Sequence, residues 1–154
     1  MEDIDLIIDG ILYVQYKFNN YKSEDDSSVN NITFQDLDSS ENEIKKNSVF
    51  WVRDLINTPA LDKSPEDFIN KVNELVDSSG IEVEAYDQKW LEKNDFGGVL
   101  GVGKGSDRPP YFLVGKYNSK AKYQVSLIGK GVLFDTGGYS LKSPAGMETM
   151  KTDM

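Results

Sequence analysis

Apolar residues recur every three to four positions in the first part of this 154-residue chain, which is the period of a helix packed on one face. The pattern predicts an amphipathic helix over Ile4–Phe18 and a second helix over Glu41–Ile56. Residues 19–31 lie between them and are polar without a period, which predicts an exposed loop. The short stretch Ile32–Leu37 that follows the loop predicts a strand.

A helix start signal appears at Ser64. Pro65 stands at the first helical position and Asp67 at the third, and Gly80 marks the end of the segment. The apolar positions of this segment share one face, which we expect to be buried, and they are Phe68, Ile69, Val72, Leu75 and Val76. The sequence therefore predicts a third helix with one face in a core.

The second half of the chain contains strand-like patterns. Ile81–Tyr86 alternates as a half-buried strand does, and Tyr111–Val114 and Tyr123–Ile128 predict two neighbouring strands joined by a polar turn. A short helix is predicted over Gln88–Asn94, ahead of a glycine-rich segment at Gly97–Gly105. Helices that alternate with strands predict an α/β fold, here a partial mixed sheet flanked by helices.

Composition excludes several classes of function. Seventeen Lys and Arg against 26 Asp and Glu give a net charge of -9, which disfavours nucleic-acid and membrane partners by repulsion. No apolar run reaches the length of a membrane span and the amino terminus is acidic, so we expect a cytoplasmic protein. Cysteine and histidine are absent, which leaves carboxylates, lysines, hydroxyls and a bound metal for any catalysis.

Candidate chemistry lies on a glycine-rich path near the end of the chain. Lys130 and Asp135 follow the apolar run Val125–Ile128, at or just beyond the carboxyl end of the predicted strand, where ligands bind in open α/β sheets. Lys142 and Asp153 follow. Carboxylates suit divalent cations, and a lysine amine can join them if the metal keeps it deprotonated. These residues could therefore build a metal-dependent hydrolytic site without histidine.

A purely structural role is the alternative for the same residues. Taken singly, an aspartate here would more often cap a turn or a helix, and a lysine would more often lie at the surface. Gly137 and Gly138 weaken this alternative, because they permit a close backbone approach beside Asp135 that a plain surface turn rarely needs.

Two runs of residues carry a resemblance to a known family. Gly129–Gly138 reads Gly-Lys-Gly-Val-Leu-Phe-Asp-Thr-Gly-Gly, and Met147–Met154 reads Met-Glu-Thr-Met-Lys-Thr-Asp-Met. Both runs closely resemble the site-forming runs of the leucyl (cytosol) aminopeptidase family, which are dinuclear-metal exopeptidases. Earlier segments stand in the family's order as well, namely Asn57–Ala60, Ser64–Pro65 and Val102–Pro110.

The resemblance implies a metallo-aminopeptidase that releases amino-terminal, preferably apolar and leucine-like, residues from peptides. It implies two divalent metal ions, zinc or manganese with magnesium as a third option, which bind the substrate amine and activate a water. Lys130, Asp135 and Asp153 are the implied metal ligands. Lys142 is implied to be the catalytic residue that stabilises the oxyanion. The implied substrate-binding residues are Lys142, Asp153 and Met150.

The resemblance also implies that this chain is an internal fragment truncated at both ends. Residues 1–39 would be the remnant of an amino-terminal α/β module and linker, and residues 40–154 the first part of the catalytic domain. Family members later carry an Asn-Thr-Asp-Ala-Glu-Gly-Arg segment, which supplies further metal ligands and an arginine that holds bicarbonate. We therefore expect weak metal binding and no activity from the chain alone.

The family's hexamers imply a homo-oligomer, with peptides as substrates. The alternative is a non-catalytic interaction or assembly module that retains the aminopeptidase fold. The sequence leaves both functions open.

Overall fold

The structure is a computed structural model that describes residues 2–23, 32, 34, 39–77, 79–118, 120–139 and 141–154. The chain divides into two compact units, the first ending at Thr58 and the second beginning at Pro59. The predicted boundary between residues 39 and 40 separates two domains of the complete family members, and it stays a prediction. No helix in the described part of the chain is both long and apolar enough to span a bilayer.

Two packed helices form the first unit, namely α1 (Glu2–Tyr13) and α2 (Ser40–Asn57). The helices bury Ile8 and Leu12 of α1 and Leu55 of α2. Apolar residues at helical spacing therefore meet across the helix pair, as the period of the sequence predicts. Both predicted helices are confirmed.

The first helix is shorter than predicted, since it ends at Tyr13, and Tyr16 beyond its end forms hydrogen bonds with the second helix. The Tyr16 hydroxyl donates to Oδ1 of Asp54 at 2.8 Å and accepts from Nδ2 of Asn57 at 3.0 Å. The predicted loop 19–31 is observed only up to residue 23. Residues 24–31 and the predicted strand Ile32–Leu37, apart from Ile32 and Phe34, lie outside the described residues.

The second unit begins with a 3-10 turn at Ala60–Asp62, which leads into α3 (Pro65–Val76). Oγ of Ser64 accepts the backbone N–H of Asp67 at 3.0 Å, and Oδ2 of Asp67 accepts the backbone N–H of Ser64 at 2.9 Å. This reciprocal capping box satisfies two amide groups that the helix cannot pair internally, and it confirms the predicted helix start. The helix ends before Gly80, whose φ of 75° places it in the turn to the next strand.

The strands β1 (Ile81–Tyr86) and β2 (Phe112–Tyr117) form an antiparallel pair, in a register that runs from Ile81 opposite Tyr117 to Tyr86 opposite Phe112. Asp87 caps the following helix α4 (Gln88–Lys93) by accepting the backbone N–H of Trp90 at 2.8 Å. Helices combined with a small sheet confirm the predicted α/β class. The sheet consists of these two strands among the described residues.

The glycine-rich segment forms a helix, α5 (Gly97–Gly103), that the sequence analysis did not predict. Glycine is a poor helix former, so packing has to stabilise this element. A Cβ at Gly103 would lie 2.5 Å from Cβ of Pro110, which shows that the end of α5 packs against the ring of Pro110 at a distance only glycine allows.

A small core lies between α4, α5 and the sheet. Leu91 is fully buried in it. Tyr86 stacks on Trp90 with ring centroids 4.1 Å apart, and Phe96 contacts both Trp90 and Phe112 with centroids 5.1 Å apart. Aromatic contacts at these distances add to the free energy of burial, so this cluster fixes the start of β2.

The predicted strand Tyr123–Ile128 is wrong. Val125, Leu127 and Ile128 are 86%, 94% and 96% exposed, and the segment is not part of the described sheet. An apolar run indicates only that burial would be favourable, and it becomes a buried strand where another surface covers it. No described element covers this run, and it forms neither a helix nor a strand.

We predict that Ser64→Ala lowers the free energy of unfolding of the second unit by about 1 kcal/mol, because α3 loses its cap. Urea denaturation followed by tryptophan fluorescence measures this change. Ser126→Ala is the matched control, since Ser126 is exposed outside any helix, and it should leave the midpoint unchanged. Equal midpoints for the two variants would contradict the role of the capping box.

We predict that the chain associates through the exposed run Val125–Ile128, because contiguous exposed apolar surface favours self-association. Leu127→Lys should shift the sedimentation equilibrium toward the monomer. The control is Ile44→Lys, which changes a 67% exposed apolar residue on α2. A monomeric unmodified chain with a cooperative thermal transition would contradict this prediction.

Candidate functional site

The residues predicted to carry chemistry form two lysine–aspartate pairs in the second unit. Nζ of Lys130 lies 2.9 Å from Oδ2 of Asp153 and donates to the carbonyl oxygen of Asp153 at 3.1 Å. Nζ of Lys142 donates to Oδ2 of Asp135 at 2.8 Å. Each carboxylate is therefore held by one ammonium group, and all four side chains remain partly accessible.

A tight turn brings Lys142 to Asp135. Oδ1 of Asp135 accepts the backbone N–H of Gly137 at 2.7 Å, and the backbone N–H of Lys142 binds the carbonyl of Thr136 at 3.0 Å. Gly137 and Gly138 have φ angles of 79° and 81°, in the left-handed region that favours glycine. A Cβ at Gly137 would also lie 3.0 Å from Cγ of Lys142. The close approach expected beside Asp135 is therefore confirmed.

The surroundings of Asp135 favour its charged form. The hydrogen bond from Lys142 is the main reason that the pKa of Asp135 lies below its usual value. The Gly137 amide and the positive charges of Lys142 and Lys130 lower this pKa further, against a smaller opposing effect of desolvation. Asp135 is thus a carboxylate at neutral pH, which is the form that a metal ion needs.

Two short helical elements follow the turn and carry the remaining site residues. Ser143 caps α6 (Pro144–Met147) by accepting the backbone N–H of Gly146 at 3.2 Å. A 3-10 helix, Met150–Asp153, then ends the described chain. Nζ of Lys142 also donates to Sδ of Met150 at 2.9 Å. Lys142 therefore contacts both a predicted metal ligand and the predicted substrate-binding methionine.

Asp153 presents a carboxylate oxygen that is buried without a hydrogen bond. Its Oδ2 has almost no accessible area, and Lys130 meets it at ion-pair distance but outside hydrogen-bonding geometry. Buried polar atoms in native proteins are nearly always satisfied, so such an oxygen is a natural donor to a cation. This observation fits the predicted role of Asp153 as a metal ligand.

The donor set of the described residues is small. No group of three or more Asp and Glu residues gathers anywhere in the described ranges, so two carboxylates and the lysine amines are the donors at this site. Oxygen and nitrogen ligands of this kind suit zinc, manganese or magnesium. Lys130 could act as a ligand only after its ammonium loses a proton to become an amine.

Sequence reasoning missed one residue beside this site. Lys63 is fully buried, and its Nζ donates to Sδ of Met154 at 3.2 Å. Burial is the main reason that the pKa of Lys63 is lowered, and the positive charge of Lys151 lowers it further. No signal in the sequence marks Lys63, because a lysine next to a helix cap is ordinarily exposed.

Comparison with known proteins identifies what the chain resembles. The sequence profile of the cytosol aminopeptidase family, catalytic domain, matches residues 50–154. A probable cytosol aminopeptidase of Rhodococcus opacus (strain B4) is 47% identical over 109 residues, which are 70% of this chain and 22% of that protein.

Solved structures give the same picture. The cytosol aminopeptidase from Coxiella burnetii superposes with a TM-score of 0.86 at 31% identity, covering 98% of this chain and 33% of that one. The bottromycin maturation enzyme BotP in complex with Mn superposes with a TM-score of 0.80 at 29% identity, covering 96% of this chain and 32% of that one. The chain thus spans a third or less of the length of these proteins.

We predict that Lys142→Met raises the pKa of the Asp135 carboxyl toward its ordinary value, because the largest cause of the lowered pKa is removed. Carbon-detected NMR of the Asp135 side chain during a pH titration measures this pKa. Lys116→Met is the control, since Lys116 pairs with Glu84 at 2.8 Å instead. An unchanged pKa of Asp135 in the Lys142 variant would show that the observed pairing is absent in solution.

Proposed function

The chain belongs to the cytosol aminopeptidase family, and we propose that it supplies part of the metal site of a leucyl-type aminopeptidase. The proposed reaction is hydrolysis of the first peptide bond of peptides that begin with an apolar, leucine-like residue. The observation that carries the proposal is the pairing of Asp135 with Lys142 and of Asp153 with Lys130 on consecutive glycine-rich and helical turns.

Asp135, Asp153 and Lys130 would hold the metal ions in this proposal. Two ions, zinc or manganese with magnesium as a third option, would supply Lewis-acid activation of a water molecule when bound. The manganese in the BotP complex supports a divalent metal. Asp135 has a lowered pKa and is ionised, and Oδ2 of Asp153 is buried without a hydrogen bond, so both carboxylates are prepared for a cation.

Lys142 would stabilise the negative charge that develops on the carbonyl oxygen of the scissile bond. Its ammonium group is held at 2.8 Å from Asp135, which places a positive charge beside a proposed metal ligand. A donor fixed in advance stabilises the transition state more than the ground state, because the charge it meets appears only during the reaction. Lys142 would therefore act mainly on kcat.

Met150 would contact the side chain of the residue that is released. Its thioether lies 2.9 Å from Nζ of Lys142, and so next to the group that would meet the scissile carbonyl. A flexible, polarisable thioether accepts apolar side chains of different shapes. The preference for leucine-like residues belongs to this part of the proposal.

We also propose that the whole protein is cytoplasmic and forms homo-oligomers, with the hexamer of the family as the expected state. A bicarbonate ion as proton acceptor is a further part of the proposal. The chain alone should have no peptidase activity, since two carboxylates are fewer ligands than two metal ions require. These statements follow from membership in the family.

A non-catalytic interaction or assembly module is the second candidate. The exposed run Val125–Ile128 favours it, because such apolar surface is typical of a contact with another chain. An interaction module would need the fold of the site, but it would not need Lys142 in particular.

A chimaera tests the proposed function. Residues 50–154 replace the matching segment of the Coxiella burnetii cytosol aminopeptidase, and release of leucine from a leucyl anilide is measured with Mn²⁺ or Zn²⁺. We predict metal-dependent hydrolysis, and a loss in kcat of about 100-fold or more for Lys142→Met with KM little changed. Lys116→Met is the control and should keep full activity.

Two results would contradict the proposal. One is a folded chimaera that binds Mn²⁺ and releases no leucine. The other is a Lys142→Met variant that keeps the kcat of the chimaera. The first result, together with binding of the isolated chain to subunits of the Coxiella enzyme, would favour the interaction module.

A further inference from the structure

A buried lysine outside the lysine–aspartate pairs contacts the end of the chain that carries Asp153. Lys63 is fully buried, between the 3-10 turn Ala60–Asp62 and the cap of α3. Removing an ammonium group from water is unfavourable, so lysine side chains are rarely fully buried unless they are paired. Lys63 therefore needs a structural explanation that a surface lysine would not.

The backbone around Lys63 is fixed on both sides. The backbone N–H of Asp62 binds the carbonyl of Pro59 at 3.0 Å on one side, and the capping box of Ser64 and Asp67 closes the other. Arg108 adds a second restraint, because its guanidinium group donates to the carbonyls of Ala60 and Leu61. Lys63 thus projects from a backbone segment that hydrogen bonds restrain on both sides.

The tip of Lys63 reaches the residue after Asp153. Its Nζ donates to Sδ of Met154 at 3.2 Å, which joins positions far apart in the sequence. At the other end of the same 3-10 helix, Nζ of Lys142 donates to Sδ of Met150 at 2.9 Å. The helix that carries Asp153 is therefore bracketed by two ammonium–thioether contacts.

Asp153 lies between these two contacts. Its side chain is 28% exposed and its Oδ2 is buried, so the carboxylate has a defined direction. A single hydrogen bond to a thioether is weak. The buried stem of Lys63 adds packing against this end of the chain, and stem and ammonium together can hold Met154 in place.

We propose that Lys63 is a positioning residue for Asp153, which acts by holding Met154 and thereby the 3-10 helix Met150–Asp153 in the orientation that suits a metal ion. Lys63 does not touch the metal or the substrate in this proposal. The inference rests on the proposed metal site, because Asp153 has to be a ligand for its orientation to affect metal affinity.

Two measurements on the full 154-residue chain test the inference. The first is the Mn²⁺ affinity, followed by the loss of the free-ion signal in electron paramagnetic resonance. We expect Lys63→Ala to weaken this affinity about tenfold, as removal of a group that orients a ligand commonly does. Lys63→Met keeps the length and the packing of the stem, so it should retain most of the affinity.

The second measurement needs no metal. The chain has 4 methionines, so methyl NMR of the metal-free protein resolves Met150 and Met154 with little overlap. Lys63→Ala should shift both methyl resonances, because the whole 3-10 helix loses its anchor. A shift confined to Met154 would overturn the proposal, since the contact would then not be transmitted toward Asp153.

Leu91→Ala is the matched destabilised control. Leu91 is as fully buried as Lys63 in the same unit, but it lies on α4 and faces the core. This variant should lower stability while keeping the Mn²⁺ affinity and the Met150 resonance. An equal loss of affinity in Leu91→Ala and Lys63→Ala would overturn the inference. If neither the unmodified chain nor any variant binds Mn²⁺, that result agrees with the few ligands of the chain alone. The methyl shifts then decide the role of Lys63, and the chimaera decides the proposed function.

Discussion

Charge balance in the last part of the chain is the constraint on which the site depends. Two carboxylates lie close to two lysines in a segment where part of each group has left water, and each aspartate is held by one ammonium group. An unpaired charge in such a place would shift its pKa or open the structure. The hydrogen bond from Lys142 favours the ionised form of Asp135, and the two pairs orient both carboxylates. A metal ion at the proposed site would have to compete with the lysines for them.

The elements around the site provide this balance through backbone geometry. Gly137 and Gly138 take left-handed conformations, so that the chain folds back and Lys142 reaches Asp135 within a few residues. The capping box at Ser64 and the guanidinium group of Arg108 fix a separate segment, from which Lys63 reaches Met154. Local hydrogen bonds, rather than a large core, hold these parts. Among the described residues of the second unit, Leu91 is the one apolar side chain that is fully buried.

Sequence reasoning succeeded where a local pattern determines the structure. The start of α3 follows from Ser64, Pro65 and Asp67, because a cap depends on residues next to each other. The close approach beside Asp135 was likewise predicted from Gly137 and Gly138, whereas its pairing with Lys142 was not predicted. The approach failed where distant surfaces decide: Tyr123–Ile128 is apolar but uncovered, and α5 is helical because Gly103 packs on Pro110 despite its composition. Lys63 was missed for the same reason, since its burial is a property of the tertiary structure.

The position of Lys130 has a thermodynamic consequence. Lys130 follows the exposed run Val125–Ile128 after one glycine. A surface that covers the run would therefore also restrict Lys130, which would reduce the entropy that Lys130 loses in the proposed ligand role. A surface that covers the run would therefore increase the affinity of the proposed site for a cation. By reciprocity, a bound cation would increase the affinity of the run for that surface by the same factor. Assembly and metal binding would then be linked by one coupling free energy.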